Sequence, residues 1–279
     1  MIGWNFESSF VAFLDILGYK ELIKNNEHID LTKLYDHIIP IITDHNQTNL
    51  TKIEAKNQYI DLQNNSNVFS TMVSDSIILW SEDCTITSFV KIIDLIATIL
   101  SNGVFHYFPI RGAMTTGTIS GKYYNKNNSF SQLQLYGKPI VEAYELSESA
   151  NWMGCEVAKE CIEMIHEDEN LDFKELLEEE YIVEYEIPKK NGEIKVCYAL
   201  NWMKHCSWKK YYSAEEIKYS IEDLIRKSFA GHHKSSNNWN VEAKILNTLD
   251  FIKDVGRYDL NYKNWPNAVE LSNKLEFEE

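Results

Sequence analysis

Residues 9–16 read Ser-Phe-Val-Ala-Phe-Leu-Asp-Ile, an apolar run that carries a single carboxylate. The run is short, rich in β-formers and closed by Gly18, which predicts a buried strand rather than a helix. An acid in such a strand is costly unless its charge is compensated. Asp15 therefore either caps the segment that follows or faces a cation. Either way the run reads as a buried strand with Asp15 at its end.

A second acid has a similar setting. Residues 68–73 and 76–80 are β-rich runs on either side of Ser74-Asp75-Ser76, a spacing that predicts a hairpin with Asp75 at its tip. Taken alone, Asp75 reads as an ordinary turn residue, because its side chain can bond its own backbone. If the hairpin packs beside the first strand, Asp15 and Asp75 converge at one end of the sheet. Two carboxylates are hard oxygen donors suited to Mg²⁺ or Mn²⁺, which take few protein ligands plus substrate phosphates. The backbone carbonyl of Ile16 is a natural further ligand. A pair of such ions activates an attacking oxygen and neutralises a triphosphate.

The rest of the chain supplies the remaining elements. Residues 19–24 begin a helix, and Leu34, Ile38, Ile41 and Ile42 share the face of a second one. Residues 43–67 are polar and read as a long loop. Residues 87–100 repeat Phe89, Ile92, Ile93, Ile96, Ala97 and Leu100 at helical spacing. Residues 109–119 are strand, 122–134 polar loop, and 139–149 and 155–166 helices. Beyond an acidic stretch at 167–180, residues 181–187 and 194–200 form a second hairpin, and 214–229 and 240–255 are helical. The β-α-α-β-β-α-β order with appended elements indicates an α+β fold with a mostly antiparallel sheet.

Composition narrows the function classes. There are 27 Lys and Arg against 42 Asp and Glu, a net charge of −15, which opposes binding to duplex nucleic acid. Hydrophobic residues make up 44% and charged residues 25%, so the chain has the means to form a packed core. The five cysteines, Cys84, Cys155, Cys161, Cys197 and Cys206, show no CxxC spacing and read as free thiols of a reducing compartment. A metal reading of Cys197, His205 and Cys206, or of His232-His233, is the weaker alternative to free thiols and a solvated linker. The amino-terminal segment has no basic region of a signal peptide. The apolar stretch at 89–100 contains Lys91 and Asp94 and is shorter than a bilayer requires. A cytoplasmic protein with no membrane partner is expected.

Four strings in consistent order over about residues 8–165 resemble class III nucleotidyl cyclases. They are Phe13–Tyr19, Ser74-Asp75, Ile110-Arg111-Gly112-Ala113 and Gly137 to Leu146. The pattern is most similar to the bacterial pyrimidine cyclases of Pycsar antiphage systems. The resemblance implies a class III cyclase-like fold, a ferredoxin-like core with a mostly antiparallel sheet flanked by helices, extended by a C-terminal β-hairpin and helices. It places the catalytic domain at 1–166 and the extension at 167–279. It implies two divalent ions, Mn²⁺ or Mg²⁺, on Asp15, Ile16 and Asp75. Phe13, Gly18, Tyr19, Thr71 and Arg111 then contact the nucleotide, and Asp15, Asp75 and Arg111 carry catalysis. Lys122 and Lys138 are weaker phosphate candidates. The implied substrate is UTP or CTP, the implied assembly a homodimer with interface active sites, and the implied partner a separate effector activated by the cyclic nucleotide.

The departures from the family are specific. Adenylyl cyclases have a purine-reading Lys where this chain has Thr71, and an Asp where it has Gln134. The family's transition-state Asn and Arg fall on Val141 and Glu145. A catalytically silent sensor, or a palm domain of the diguanylate-cyclase type, is the competing reading. The latter carries a Gly-Gly-acid-acid turn where this chain has Ser74-Asp75-Ser76.

Overall fold

The computed structural model describes residues 2–39, 52–55, 58–61, 68–126, 130–166, 177, 180–203, 221–235 and 238–256. The first strand, β1 (Ile2–Ile16), is longer than the apolar run alone predicts. Trp4 and Phe6 extend its alternation into the preceding residues, and the register shifts between Phe6 and Ser9. Phe10, Ala12, Leu14 and Ile16 face the main core. Alternation puts Val11, Phe13 and Asp15 on the opposite face.

Helices α1 (Tyr19–Asn25) and α2 (His28–Lys33) follow, and α2 runs into a π-helical turn at Leu34–Ile38. Ile41 and Ile42 lie outside the described residues. The expected loop at 43–67 instead contains a two-stranded sheet of its own, β2 (Lys52–Ala55) and β3 (Gln58–Asp61). Ile53, Tyr59 and Ile60 are the β-formers that the polar background concealed. Strands β4 (Val68–Val73) and β5 (Ser76–Ser81) form the expected hairpin. Helix α3 (Ile86–Phe105) opens at Thr85, whose hydroxyl accepts from the Ser88 N–H at 3.2 Å. Among the described residues α3 is the one helix long and apolar enough to cross a membrane, and nearly all of it is buried in the core.

Strand β6 (Ile110–Lys126) runs into β7 (Phe130–Tyr136), and the two pair antiparallel. The expected loop at 122–134 is thus a long hairpin. Its exposed Lys122, Gln132 and Gln134 gave it the look of a loop. Helix α4 (Lys138–Ser149) follows. The segment expected as one helix from 155 splits into β8 (Gly154–Val157) and α5 (Lys159–His166). A four-residue buried strand is too short to show a period distinct from the helix after it.

Strands β9 (Ile182–Pro188) and β10 (Ile194–Leu200) form the second hairpin. Helices α6 (Ile221–Ala230) and α7 (Trp239–Gly256) end the described chain. The main sheet runs β4-β5-β1-β6-β8-β10-β9, with β7 also on β6. All pairings are antiparallel except β6 with β8. With β5 lying between β1 and β4, the centre is the split β-α-β arrangement of ferredoxin-like folds. The architecture is α+β, a mixed and mostly antiparallel sheet flanked by helices.

The C-terminal helices share that core. Ile221, Ile225, Ile245, Phe251 and Ile252 are buried in the same cluster as Phe10 and Phe89. Helix α7 is pinned to the turn before β8: the Met153 N–H donates to Thr248 Oγ1 at 2.9 Å, and Asn247 Nδ2 to the Asn151 carbonyl at 2.7 Å. Phe251 packs edge-on against Trp152, with ring centroids 4.7 Å apart.

Candidate active site

The end of β1 is fixed on both sides. Asp15 pairs in register with Ser76 of β5 and with Arg111 of β6. Beyond it, the Ile16 N–H donates to the Asp75 carbonyl at 3.0 Å, and the Leu17 N–H to the Pro109 carbonyl at 2.8 Å. Gly18 then turns the chain into α1 with φ of 79°, a left-handed conformation that favours glycine. Ser74 is also left-handed, with φ of 61°, and its turn places Asp75 beside Ile16. The structure therefore brings Asp15, Ile16, Gly18, Tyr19 and Asp75 to one end of the sheet.

Arg111 joins them from β6. Its Nη2 donates to Asp15 Oδ2 at 3.0 Å and to Glu148 Oε1, and its Nη1 to the Ala150 carbonyl at 3.3 Å. Glu148 also pairs with Lys190 at 3.1 Å. The Arg111 side chain is nearly buried, and its Nε–H has no partner among the described residues. Burial raises the Asp15 carboxyl above its ordinary value of 3.8; the Arg111 charge opposes this and the Asp75 charge adds to it. Burial likewise pushes Arg111 down against the pull of Asp15. Both partners are thus pressed toward their neutral forms, because desolvation outweighs their mutual attraction.

Asp15, Asp75 and Arg111 border a cleft of about 410 Å³ that Gly18 and Tyr19 also line. Three lysines from the C-terminal elements reach it, and none was expected from sequence: Lys190 after β9, Lys234 before α7, and Lys244 on α7. Lys234 is buried against Gly18, and its Nζ donates to the carbonyls of Tyr107 at 2.7 Å and Ser228 at 3.1 Å. Burial pushes it down to about 7. Tyr19 and Tyr35 share a 2.5 Å hydroxyl contact near the same wall.

Other expected residues lie elsewhere. Phe13 packs edge-on against Tyr144 of α4 at 5.3 Å, and Thr71 sits mid-strand opposite Ile78. Neither lines the cleft of Asp15. Lys122 pairs in register with Gln134, and the exposed Lys138 makes an i,i+4 ion pair with Glu142 at 2.7 Å. Val141 and Glu145 are exposed on α4. His232 and His233 are tied to the protein: Asn26 and Asn25 donate to their carbonyls at 2.8 and 2.7 Å, and His232 Nε2 contacts the His106 carbonyl at 2.7 Å. His205 and Cys206 lie outside the described residues. A larger cleft, about 930 Å³, opens between α4, β8 and β10 over the buried pair Glu156–Lys189, and it contains neither Asp15 nor Asp75. Among the described residues no three His, Cys, Asp or Glu side chains gather as a metal cluster. A site at Asp15 and Asp75 thus rests on two carboxylates and backbone oxygen.

No protein-family model and no curated protein matches the chain. Several solved structures resemble it. The adenylyl cyclase CyaB from P. aeruginosa is 12% identical with a TM-score of 0.44, over 72% of this chain and 96% of that one. The catalytic core of a rhodopsin-guanylyl cyclase with converted specificity, in complex with ATPαS, is 11% identical with a TM-score of 0.43, over 71% and 97%. The guanylate cyclase domain of RhGC from Catenaria anguillulae, in complex with GTP, is 12% identical with a TM-score of 0.40, over 70% and 97%.

Proposed function

We propose that this protein is a nucleotidyl cyclase whose divalent ions are held by Asp15, Asp75 and the backbone carbonyl of Ile16. The observation that carries the reading is the convergence of Asp15 and Asp75 at the end of β1, joined through the Ile16–Asp75 backbone bond and flanked by Arg111. The donors fit Mg²⁺ or Mn²⁺. They are hard oxygens, few in number, in a cleft with room for phosphate. The mutual repulsion that helps hold the Asp15 carboxyl up is the charge a divalent ion compensates.

When bound, such ions make the ribose 3′-hydroxyl more acidic and neutralise the triphosphate. Arg111 is held by Asp15, Glu148 and the Ala150 carbonyl, so its guanidinium is fixed before substrate arrives. A fixed, planar donor suits phosphate oxygens. Gly18 and Tyr19 shape the adjacent wall. The 3′-hydroxyl would lose its proton to solvent water, its oxygen would attack the α-phosphorus in line, and the bond from the α-phosphorus to the β-phosphate oxygen would break, releasing pyrophosphate and a 3′,5′-cyclic nucleotide. Positioning and charge neutralisation supply most of the rate.

In this reading the substrate is a pyrimidine nucleoside triphosphate, with UTP favoured over CTP and cyclic UMP as the product. Thr71, small where adenylyl cyclases have a purine-reading Lys, supports a base other than adenine. The enzyme works as a homodimer with interface active sites, in the cytoplasm, and its product activates a separate effector in antiphage defence. The test incubates the protein separately with ATP, GTP, CTP and UTP plus Mn²⁺ and identifies products by mass. The reading expects 3′,5′-cyclic UMP from UTP. Cyclic CMP moves the assignment to a cytidylate cyclase. Val141 and Glu145, standing where the family has Asn and Arg, favour a second reading, a silent nucleotide sensor, and absence of cyclic product from all four triphosphates supports it.

A further inference from the structure

Helix α7 lies outside residues 8–165, whose sequence resembles cyclases, yet it delivers one cationic side chain to the cleft. Lys244 lines the cleft together with Arg111 and Lys190. Its position is set by the fold. One turn further along, Thr248 and Asn247 bond the 151–153 segment, and Phe251 packs on Trp152. Among the described residues its Nζ donates to the Asn240 carbonyl of its own helix at 3.1 Å and pairs with no carboxylate. Burial presses Lys244 toward its neutral form, and the charges of Arg111 and Lys190 add to that pressure. Lys190 is pressed the same way, by burial and then by Arg111.

A protein of net charge −15 has acids to spare for such a group. Arg111 and Lys190 take theirs from Asp15 and Glu148, and among the described residues Lys244 takes none. A cation held half-buried beside two others, without a counter-charge, is matched by a mobile anion. The cleft beside it is large enough for several phosphate groups.

We propose that Lys244 is a phosphate-binding residue, so that helix α7 completes a polyphosphate subsite in the same chain as Asp15 and Asp75. The ligand class is an inorganic or nucleoside polyphosphate. The inference rests on the cyclase reading for the nucleotide, and its test separates the two.

The probe is inorganic tripolyphosphate, titrated calorimetrically into the full chain. Wild type is expected to bind it. Lys244→Met keeps the aliphatic stem and is expected to bind about tenfold more weakly, the usual loss for one charge-assisted contact. Lys244→Arg is expected to stay within about threefold of wild type, and Lys253→Met, at an exposed position on the same helix, to match it. A second measurement needs no variant: tripolyphosphate should protect the Lys244 amine, and leave Lys253 unprotected, during acetylation of wild type read by mass spectrometry. Equal affinity in Lys244→Met, no binding by wild type, or equal labelling of Lys244 with and without tripolyphosphate overturns the proposal. A cyclic product with unchanged KM in Lys244→Met overturns this inference and leaves the cyclase reading standing. Lys244-dependent tripolyphosphate binding with no cyclic product from any triphosphate does the reverse.

Discussion

Asp15 and Arg111 face each other in register across β1 and β6, and their side chains meet at 3.0 Å. The contact spans 96 residues of sequence and is made on the sheet face opposite the main core. It holds a carboxylate at the strand end while leaving it short of counter-charge, since Arg111 also serves Glu148 and the Asp75 charge lies nearby.

Burial of Asp15, to which the Asp75 charge adds, predicts a pH signature. The folded-state value of Asp15 is raised, so the native state binds the proton more tightly than the unfolded chain. The contribution of Asp15 to stability is full below its ordinary 3.8 and is lost as pH rises through the raised value. In metal-free buffer, the melting temperature of Asp15→Asn should therefore gain on wild type as pH rises from the ordinary 3.8 through the raised value. Added Mn²⁺ should stabilise wild type and leave Asp15→Asn unmoved. A constant difference across that range contradicts the account.

Removing the other partner has the opposite effect on stability. Arg111→Met leaves Asp15 without its cation and the Ala150 carbonyl without a donor. Breaking a buried pair from one side costs about 3 kcal/mol, measurable by urea unfolding. Arg111→Lys should fold better and still raise KM for the nucleoside triphosphate, because an ammonium does not reproduce the planar fork.

The floor of the larger cleft offers a test apart from catalysis. Lys189 and Glu156 pair there with side chains 8% and 3% exposed, and Lys189 also donates to Ser149 Oγ at 3.2 Å. Glu156→Gln or Lys189→Met alone should cost about 3 kcal/mol. The double variant Glu156→Leu/Lys189→Met should recover most of that loss, since neither buried charge remains. A double-mutant cycle read by denaturant unfolding measures the coupling.

Gly18 is constrained twice. Its φ of 79° disfavours any side chain, and a Cβ there lies 2.9 Å from Lys234 Cδ, whose amine is anchored to two carbonyls. Gly18→Ala should cost about 1–2 kcal/mol. It should also weaken Mn²⁺ binding, because the turn that follows Ile16 shifts with Lys234. Calorimetric titration with Mn²⁺ checks the second effect.

The sequence made the centre of the site legible because apolar β-runs frame Asp15 and Asp75 and leave each acid conspicuous. Arg111 was legible through the resemblance of residues 110–113 to a cyclase strand. Lys190, Lys234 and Lys244 were not, because a lysine in a polar turn or on an amphipathic helix carries no local sign of what it faces. Their convergence depends on β9 and β10 joining the sheet and on α7 packing over the 151–153 turn. Glu148 was hidden for the same reason: on α4 it reads as a solvated acid until Arg111 and Lys190 are placed beside it. The β6–β7 hairpin was missed because one of its faces meets solvent and its polar residues look like a loop. Strand β8 was missed because four buried residues show no period of their own.

The most direct test of the central claim is Mn²⁺-dependent turnover of UTP by wild type, Asp15→Ala and Asp75→Ala, with folding of each checked by thermal melting. The account predicts 3′,5′-cyclic UMP and pyrophosphate from wild type alone, with turnover in both folded variants reduced to background. Near wild-type turnover in either folded variant contradicts the assignment of the metal site to Asp15 and Asp75.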